Sequence, residues 1–134
     1  MKTLLSAFLI VLMLSVYATA TEHIDTGGIR HISIIRLIAS PEQYHGKRVN
    51  LVGFLRLEFE GDAIYLHRED YLNVLMSNAV GLIVPDPKIF SKHDRQYVVV
   101  EGTSEKCDDA RLTCRFSGHI KDIVRLVPLN LHRE

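Results

Sequence analysis

No excess of charge of either sign marks this chain: sixteen Lys and Arg face sixteen Asp and Glu in 134 residues. Nucleic-acid-binding domains usually carry a strong basic excess, so the balance disfavours that partner. Cysteine is scarce, with Cys107 and Cys114 alone. A single pair leaves nothing for the second half of a structural zinc site. Several catalytic signatures are missing as well. Ser117-Gly118 follows Arg115-Phe116, which breaks the Gly-x-Ser-x-Gly pattern of a nucleophile elbow. Gly27-Gly28 lacks the continuation of a phosphate loop. His67-Arg68-Glu69 evokes the zinc deaminases but has no Pro-Cys-x-x-Cys partner. No cofactor is therefore expected.

The longest apolar run, Leu4 to Val16, lies at the very start. Met1-Lys2-Thr3 precedes it with a positive charge, and Tyr17-Ala18-Thr19-Ala20 follows with small residues at the −3 and −1 positions before Thr21. That order is a secretory signal peptide cleaved between Ala20 and Thr21. A membrane anchor is the rival reading, but Leu4 to Ala20 falls short of the ~20 apolar residues that span a bilayer. No basic stop-transfer cluster follows it. The expected address is periplasmic or secreted, with no membrane anchor after cleavage. Removing twenty residues from 134 leaves 114, enough for one domain with its own core. Loss of Lys2 shifts the formal charge from zero to minus one.

In an exported protein the two cysteines are expected to pair as a disulfide. The Cys107–Cys114 loop spans eight residues. Chain entropy gives about 2.5 kcal/mol for a loop of that size.

Hydrophobic periodicity divides the mature chain. Residues 1–20 are the signal, 21–31 read as a flexible polar arm, and 32–134 as the folded domain. Ile34, Leu37 and Ile38 have helical spacing. Ser40-Pro41 opens a helical turn that Gly46 ends. Val49, Leu51, Gly53, Leu55, Leu57 and Phe59 share one face of a long strand, with Asn50, Val52, Phe54, Arg56, Glu58 and Glu60 opposite. Gly53 suggests a bend or bulge. A second strand covers Ala63 to His67, with Ile64 and Leu66 facing away from Tyr65 and His67. A short helix is expected in Arg68 to Asn78, a brief strand at Val80 to Val84, and a helix from Asp86-Pro87 to His93. Gln96 to Thr103 reads as a central strand. Phe116 to Leu126 reads as the last, with Ile120, Val124 and Leu126 inward and a bulge near Lys121-Asp122.

Helix, three strands, helix, two strands is the order of the oligonucleotide/oligosaccharide-binding barrel, the OB-fold. The fold class is thus mainly β with short helices: a small five-stranded OB-like barrel preceded by an N-terminal helix. A small open α+β sheet is the alternative. Ser40-Pro41-Glu42-Gln43-Tyr44-His45-Gly46-Lys47-Arg48-Val49, running into Val52-Gly53-Phe54-Leu55, resembles the opening of many small bacterial OB-fold proteins. Ala63 to Tyr71 and Tyr97 to Thr103 look like those of one uncharacterised exported bacterial OB-like family. The resemblance covers about Ile32 to Leu126 and implies a fold, with no activity to carry over.

Two function classes follow. The first is a non-catalytic binding protein that recognises a protein or an envelope ligand, an inhibitor or immunity protein being one version. Tyr65, His67, Arg68 and Tyr71 are its expected contacts, because aromatic and Arg side chains dominate interface energetics. Asp108, Asp109 and Arg111, pre-ordered by the disulfide, would form a second contact. The second class is a small metal-assisted hydrolase built on His67, Glu69 and Asp70, which would need a further ligand from elsewhere. Its rival is a polar turn after the second strand. Glu58 and Glu60 offer a carboxylate pair, a pattern that more often just solvates a strand.

Overall fold

The structure, a computed structural model, describes residues 28–59, 61–108 and 114–130. The signal run, the Ala20–Thr21 cleavage point, Glu60, Asp109 and Arg111 lie outside the described residues. In chain order the elements are β1 (Arg30–His31), α1 (Ile34–Ala39), α2 (Pro41–Tyr44), β2 (Arg48–Arg56), β3 (Ala63–Tyr65), α3 (Arg68–Leu72), β4 (Ala79–Leu82), β5 (Tyr97–Lys106) and β6 (Gly118–Pro128). Short 3-10 turns at Met76–Asn78 and Pro87–His93 flank β4.

Local chemistry sets the helix ends. Ser33 caps α1 by accepting from the Arg36 N–H at 3.2 Å. Pro41 occupies the first turn of α2, where no N–H is needed. Gly46 has φ +73° just beyond it, a conformation cheap only for glycine. Asp86 caps the Pro87–His93 turn through the Lys88 N–H. That segment winds as a 3-10 helix.

Strands β2, β3, β4, β6 and β5 close into a barrel, because β2 pairs with both β3 and β5. β4 and β6 run parallel, and the other barrel pairs are antiparallel. The architecture is the OB-like barrel, with β1 added in parallel beside β2. β1 falls within the stretch read as an arm, so the sheet begins before residue 32.

β2 makes the closure. It pairs with β5 from Arg48 to Phe54 and with β3 from Phe54 to Arg56, handing over at Phe54. Gly53 precedes the handover. A Cβ there would run into Ile64 Cγ2 and stand 2.6 Å from both Ile34 Cδ1 and the Tyr65 carbonyl oxygen. Close approach of backbones, with no register break in either ladder, is what requires this glycine.

The inward face of β2 is Val49, Leu51 and Leu55, which meet Ile34, Ile64, Val80, Val98, Val100 and Ile120 in the core. Each fully buried aliphatic chain contributes about 1.5–3 kcal/mol. The strand ends at Arg56, and the inward face ends one residue later at Leu57, which packs against the core. Phe59, expected inward, lies in the β2–β3 loop and is fully exposed. β3 likewise ends at Tyr65, because His67 becomes the N-cap of α3.

On β6 the expected bulge is present: Glu101 pairs with Arg125 but Thr103 with Lys121, and Asp122 has φ +49°. Within the bulge the alternation is interrupted, while Leu126 beyond it is buried as expected. Ile123 packs against the core, whereas Val124, expected inward, is 60% exposed.

Candidate functional site

The outer face of β3 and β4 is where OB barrels commonly take ligands. Here the chain covers it with its own rings. Phe54, Ala63, Tyr65, Ala79 and Phe116 form a second hydrophobic cluster, with Tyr71 and Met76 packed on it. Tyr65 meets Tyr71 at 5.5 Å and Phe116 at 6.4 Å, both edge-on. Such pairs add about 0.5–1.5 kcal/mol beyond their burial. Tyr65 does point away from the barrel interior, as alternation demands. It is nevertheless only 5% exposed, which leaves it little surface for a partner. Burial also pushes its hydroxyl pKa up.

A buried arginine ties this cluster to two loops. Arg56 Nη1 contacts both Asp94 carboxylate oxygens at 2.8 and 2.7 Å. Its Nη2 donates to Glu58 Oε1 at 2.6 Å and to the Tyr71 hydroxyl at 3.0 Å. The Tyr71 hydroxyl in turn donates to Glu58 at 2.7 Å. Asp94 also accepts from the Leu57 N–H at 2.9 Å. Burial alone would lower the Arg56 pKa, but bonds to Glu58 and Tyr71 and the charge of Asp94 raise it overall. The Tyr71 hydroxyl and then Arg56 hold Glu58 below the ordinary carboxylate value. Asp62 is displaced the other way, chiefly by burial and further by Asp94. Tyr71, expected at a contact surface, thus has its hydroxyl engaged inside the molecule.

An open groove of about 840 Å³ lies beside this network, where β2, β5 and the start of α3 meet. Val52, Phe54 and Leu66 supply apolar surface, and His67, Arg68 and Tyr97 line it as well. The Tyr97 ring packs edge-on against Phe54 at 5.6 Å, and its hydroxyl accepts from the Arg68 N–H at 3.3 Å. Arg95 joins the lining from a backbone with φ +61°. Its N–H donates to the Leu55 carbonyl at 3.0 Å, while its side chain is three-quarters exposed.

The structure therefore brings His67 and Arg68 to one groove and places Tyr65 and Tyr71 beneath the neighbouring surface. Asp108 lines a different cavity of about 310 Å³ with His45 and His119. Cys107 and Cys114 form the expected disulfide, Cα atoms 6.0 Å apart. Asp70 of the hydrolase triplet is buried, and both of its carboxylate oxygens hold the fold. One accepts from the His67 N–H at 2.9 Å and the other from Asn78 Nδ2 at 2.8 Å. This is the return half of a capping box. Among the described residues no three His, Cys, Asp or Glu side chains converge as a metal site would need. Val52, Arg95 and Tyr97 were not among the expected contacts. Val52 was legible as an outward residue of β2, but nothing local announces that Arg95 will stand at the groove.

No family model matches the chain, and no curated protein does. Among solved structures it is similar to OBody AM3L15 bound to hen egg-white lysozyme, at 20% identity over 66% of this chain and 85% of that one, TM-score 0.44. OBody AM3L09 bound to the same lysozyme is 21% identical over 66% and 86%, TM-score 0.43. A protein described as an aspartyl-tRNA synthetase from Leishmania major Friedlin is 14% identical over 82% of this chain and 22% of that one, TM-score 0.44. Likeness at this level carries no functional inference. No helix among the described residues is long and apolar enough to cross a membrane.

Proposed function

We propose that this protein is an exported, non-catalytic binding barrel that recognises a partner protein through the β2–β5 groove. One observation carries the reading. The β3–β4 face is closed by the protein's own rings, whereas the adjoining side is open and lined by Tyr97, Val52, His67 and Arg68. Tyr and Arg beside an apolar floor are the residue types that anchor interfaces. Export is supported by the Leu4–Ala20 pattern and suits the Cys107–Cys114 bridge. Cleavage after Ala20 leaves a mature chain starting at Thr21, its domain beginning at or before β1. A periplasmic or secreted inhibitor or immunity protein, within an exported bacterial OB-like family, is the form this reading takes. Fold-level analogy contributes to it, because OB barrels are often binding platforms.

A photo-reactive residue replacing Tyr97, compared with one replacing Lys88, tests the reading in intact native envelopes. One protein adduct is expected at position 97, absent at 88 and lost when Arg68→Glu is added. Equal labelling at both positions, or none at 97, would overturn it.

A further inference from the structure

The 840 Å³ groove does not end at β2. A second cavity of about 520 Å³ shares Val52 and Leu66 with it, so the two form one elongated trough. The charged side chains along the trough are of one sign. Arg36 stands in one part, Arg68 and Arg95 in the other, and no Asp or Glu among the described residues lines either. This concentration arises in a chain whose total charge is balanced. The acids Glu58, Asp62 and Asp94 line a separate cavity. Arg36 and Arg68 make no ion pair among the described residues, and Arg95 reaches Asp94 only at 3.8 Å. Arg36 and Arg68 therefore have no carboxylate partner among the described residues, and Arg95 has a long contact alone.

Arg95 carries a second signal. A side chain at positive φ costs about 1–2 kcal/mol that glycine would avoid. The position is held by two backbone bonds, Arg95 N–H to the Leu55 carbonyl and Leu55 N–H to the Gln96 carbonyl. The fold thus tolerates strain at a residue whose guanidinium projects beside the groove, a pattern that accompanies functional positions.

We propose that the trough receives an acidic, extended segment of a partner protein, an inference that rests on the binding reading above. Aliphatic side chains of the segment lie on Val52 and Leu66, and its carboxylates meet Arg36, Arg68 and Arg95. The floor distinguishes this occupant from other polyanions. Single-stranded nucleic acids are held on stacked aromatic platforms. Here, imidazoles apart, the described lining offers one substantially exposed aromatic ring, Tyr97, whose hydroxyl already accepts from the Arg68 backbone N–H. Aliphatic surface next to guanidinium groups suits a peptide in which acidic and aliphatic residues alternate. Its charge-assisted bonds are strong but salt-sensitive.

Fluorescence anisotropy with labelled octapeptides tests the assignment on the mature protein. The peptides alternate valine with glutamate, lysine or serine, and a sulfated oligosaccharide and an oligothymidylate serve as rival polyanions. The glutamate peptide should bind most tightly of all five and weaken as salt rises. Arg68→Glu with Arg95→Glu should reduce its affinity at least about tenfold, and Lys88→Ala should leave it unchanged. Arg95→Gly removes one charge while relieving the backbone, so its loss of affinity reports charge and not unfolding. Equal binding of the serine peptide, indifference to Arg95→Gly, or tighter binding of either rival polyanion would overturn the proposal. If position 97 cross-links a protein while the glutamate peptide fails, the groove is a binding site of different chemistry. If both fail, the binding reading falls with it.

Discussion

The Arg56 guanidinium lies 4.4 Å from the centroid of the Tyr71 ring and donates to the hydroxyl of the same residue at 3.0 Å. One side chain from β2 and one from α3 thereby fix the helix against the barrel. The contact also closes the outer aromatic cluster from above and binds the β2–β3 loop through Glu58. A groove wall built on α3 inherits its position from this pair.

Removing the parts separately should grade the effect. Tyr71→Phe keeps the ring and loses the hydroxyl bonds, an expected cost of about 1 kcal/mol. Arg56→Ala leaves Asp94 and Glu58 without their shared cation and should cost about 3 kcal/mol. Urea denaturation of both variants checks the order. Equal losses would mean that the Tyr71 hydroxyl bonds, and not the Arg56 charge network, dominate.

Val74 has φ +58° and is two-thirds exposed. It occupies the position after the α3 C-cap, and the two bonds of a Schellman motif surround it: Val74 N–H to the Tyr71 carbonyl and Leu75 N–H to the Asp70 carbonyl. A β-branched residue is among the worst choices there. Val74→Gly should stabilise the protein by about 1 kcal/mol, net of the glycine's extra freedom when unfolded. A denaturation midpoint that falls would contradict this.

Gly53→Ala should destabilise by about 3 kcal/mol. The added methyl meets the Ile64 side chain and a carbonyl oxygen of β3, and the barrel closes at the next residue. Thermal unfolding of the variant gives the answer. Little change in midpoint would show that β2 and β3 can separate without loss.

Glu58 and Asp62 should give opposite pH effects. The folded-state pKa of Glu58 is depressed, so its stabilisation is full above its ordinary value of 4.5 and is lost as pH falls through the lower folded value. Glu58→Gln should flatten the acid limb of the stability curve. Asp62 has a raised pKa, so its contribution is full below its ordinary 3.8 and is lost as pH rises through the higher folded value, leaving a charged form at neutral pH that burial penalises. Asp62→Asn keeps an oxygen for the Glu58 N–H. It should raise stability at pH 7 by less than about 1 kcal/mol, with no gain in strong acid. Denaturation series across pH 2–8 separate the two.

Much of the barrel was legible along the chain, because the information is local. Period-two alternation identified Val49, Leu51 and Leu55 as the inward face of β2. Pro41, Gly46 and the Asp86 cap stand where the chain turns because their backbone chemistry suits those positions whatever surrounds them. The bulge near Lys121-Asp122 was signalled by Ile123 interrupting the alternation. What alternation cannot supply is the environment on the other side of a strand. Tyr65 and Arg56 do point away from the barrel interior, but α3 and the loop carrying Asp94 fold over that face and make it a second interior. Val124 was misplaced because it lies within the bulge, where the alternation is interrupted; Ile120 before it and Leu126 beyond it keep the expected phase. Sequence by itself determined the strand pattern, the helix ends and the cysteine pairing, since each depends on neighbours along the chain. Which outward residues are covered and which line the trough was decided by tertiary structure. That choice depends on segments tens of residues apart, brought together only when β2 closes the barrel.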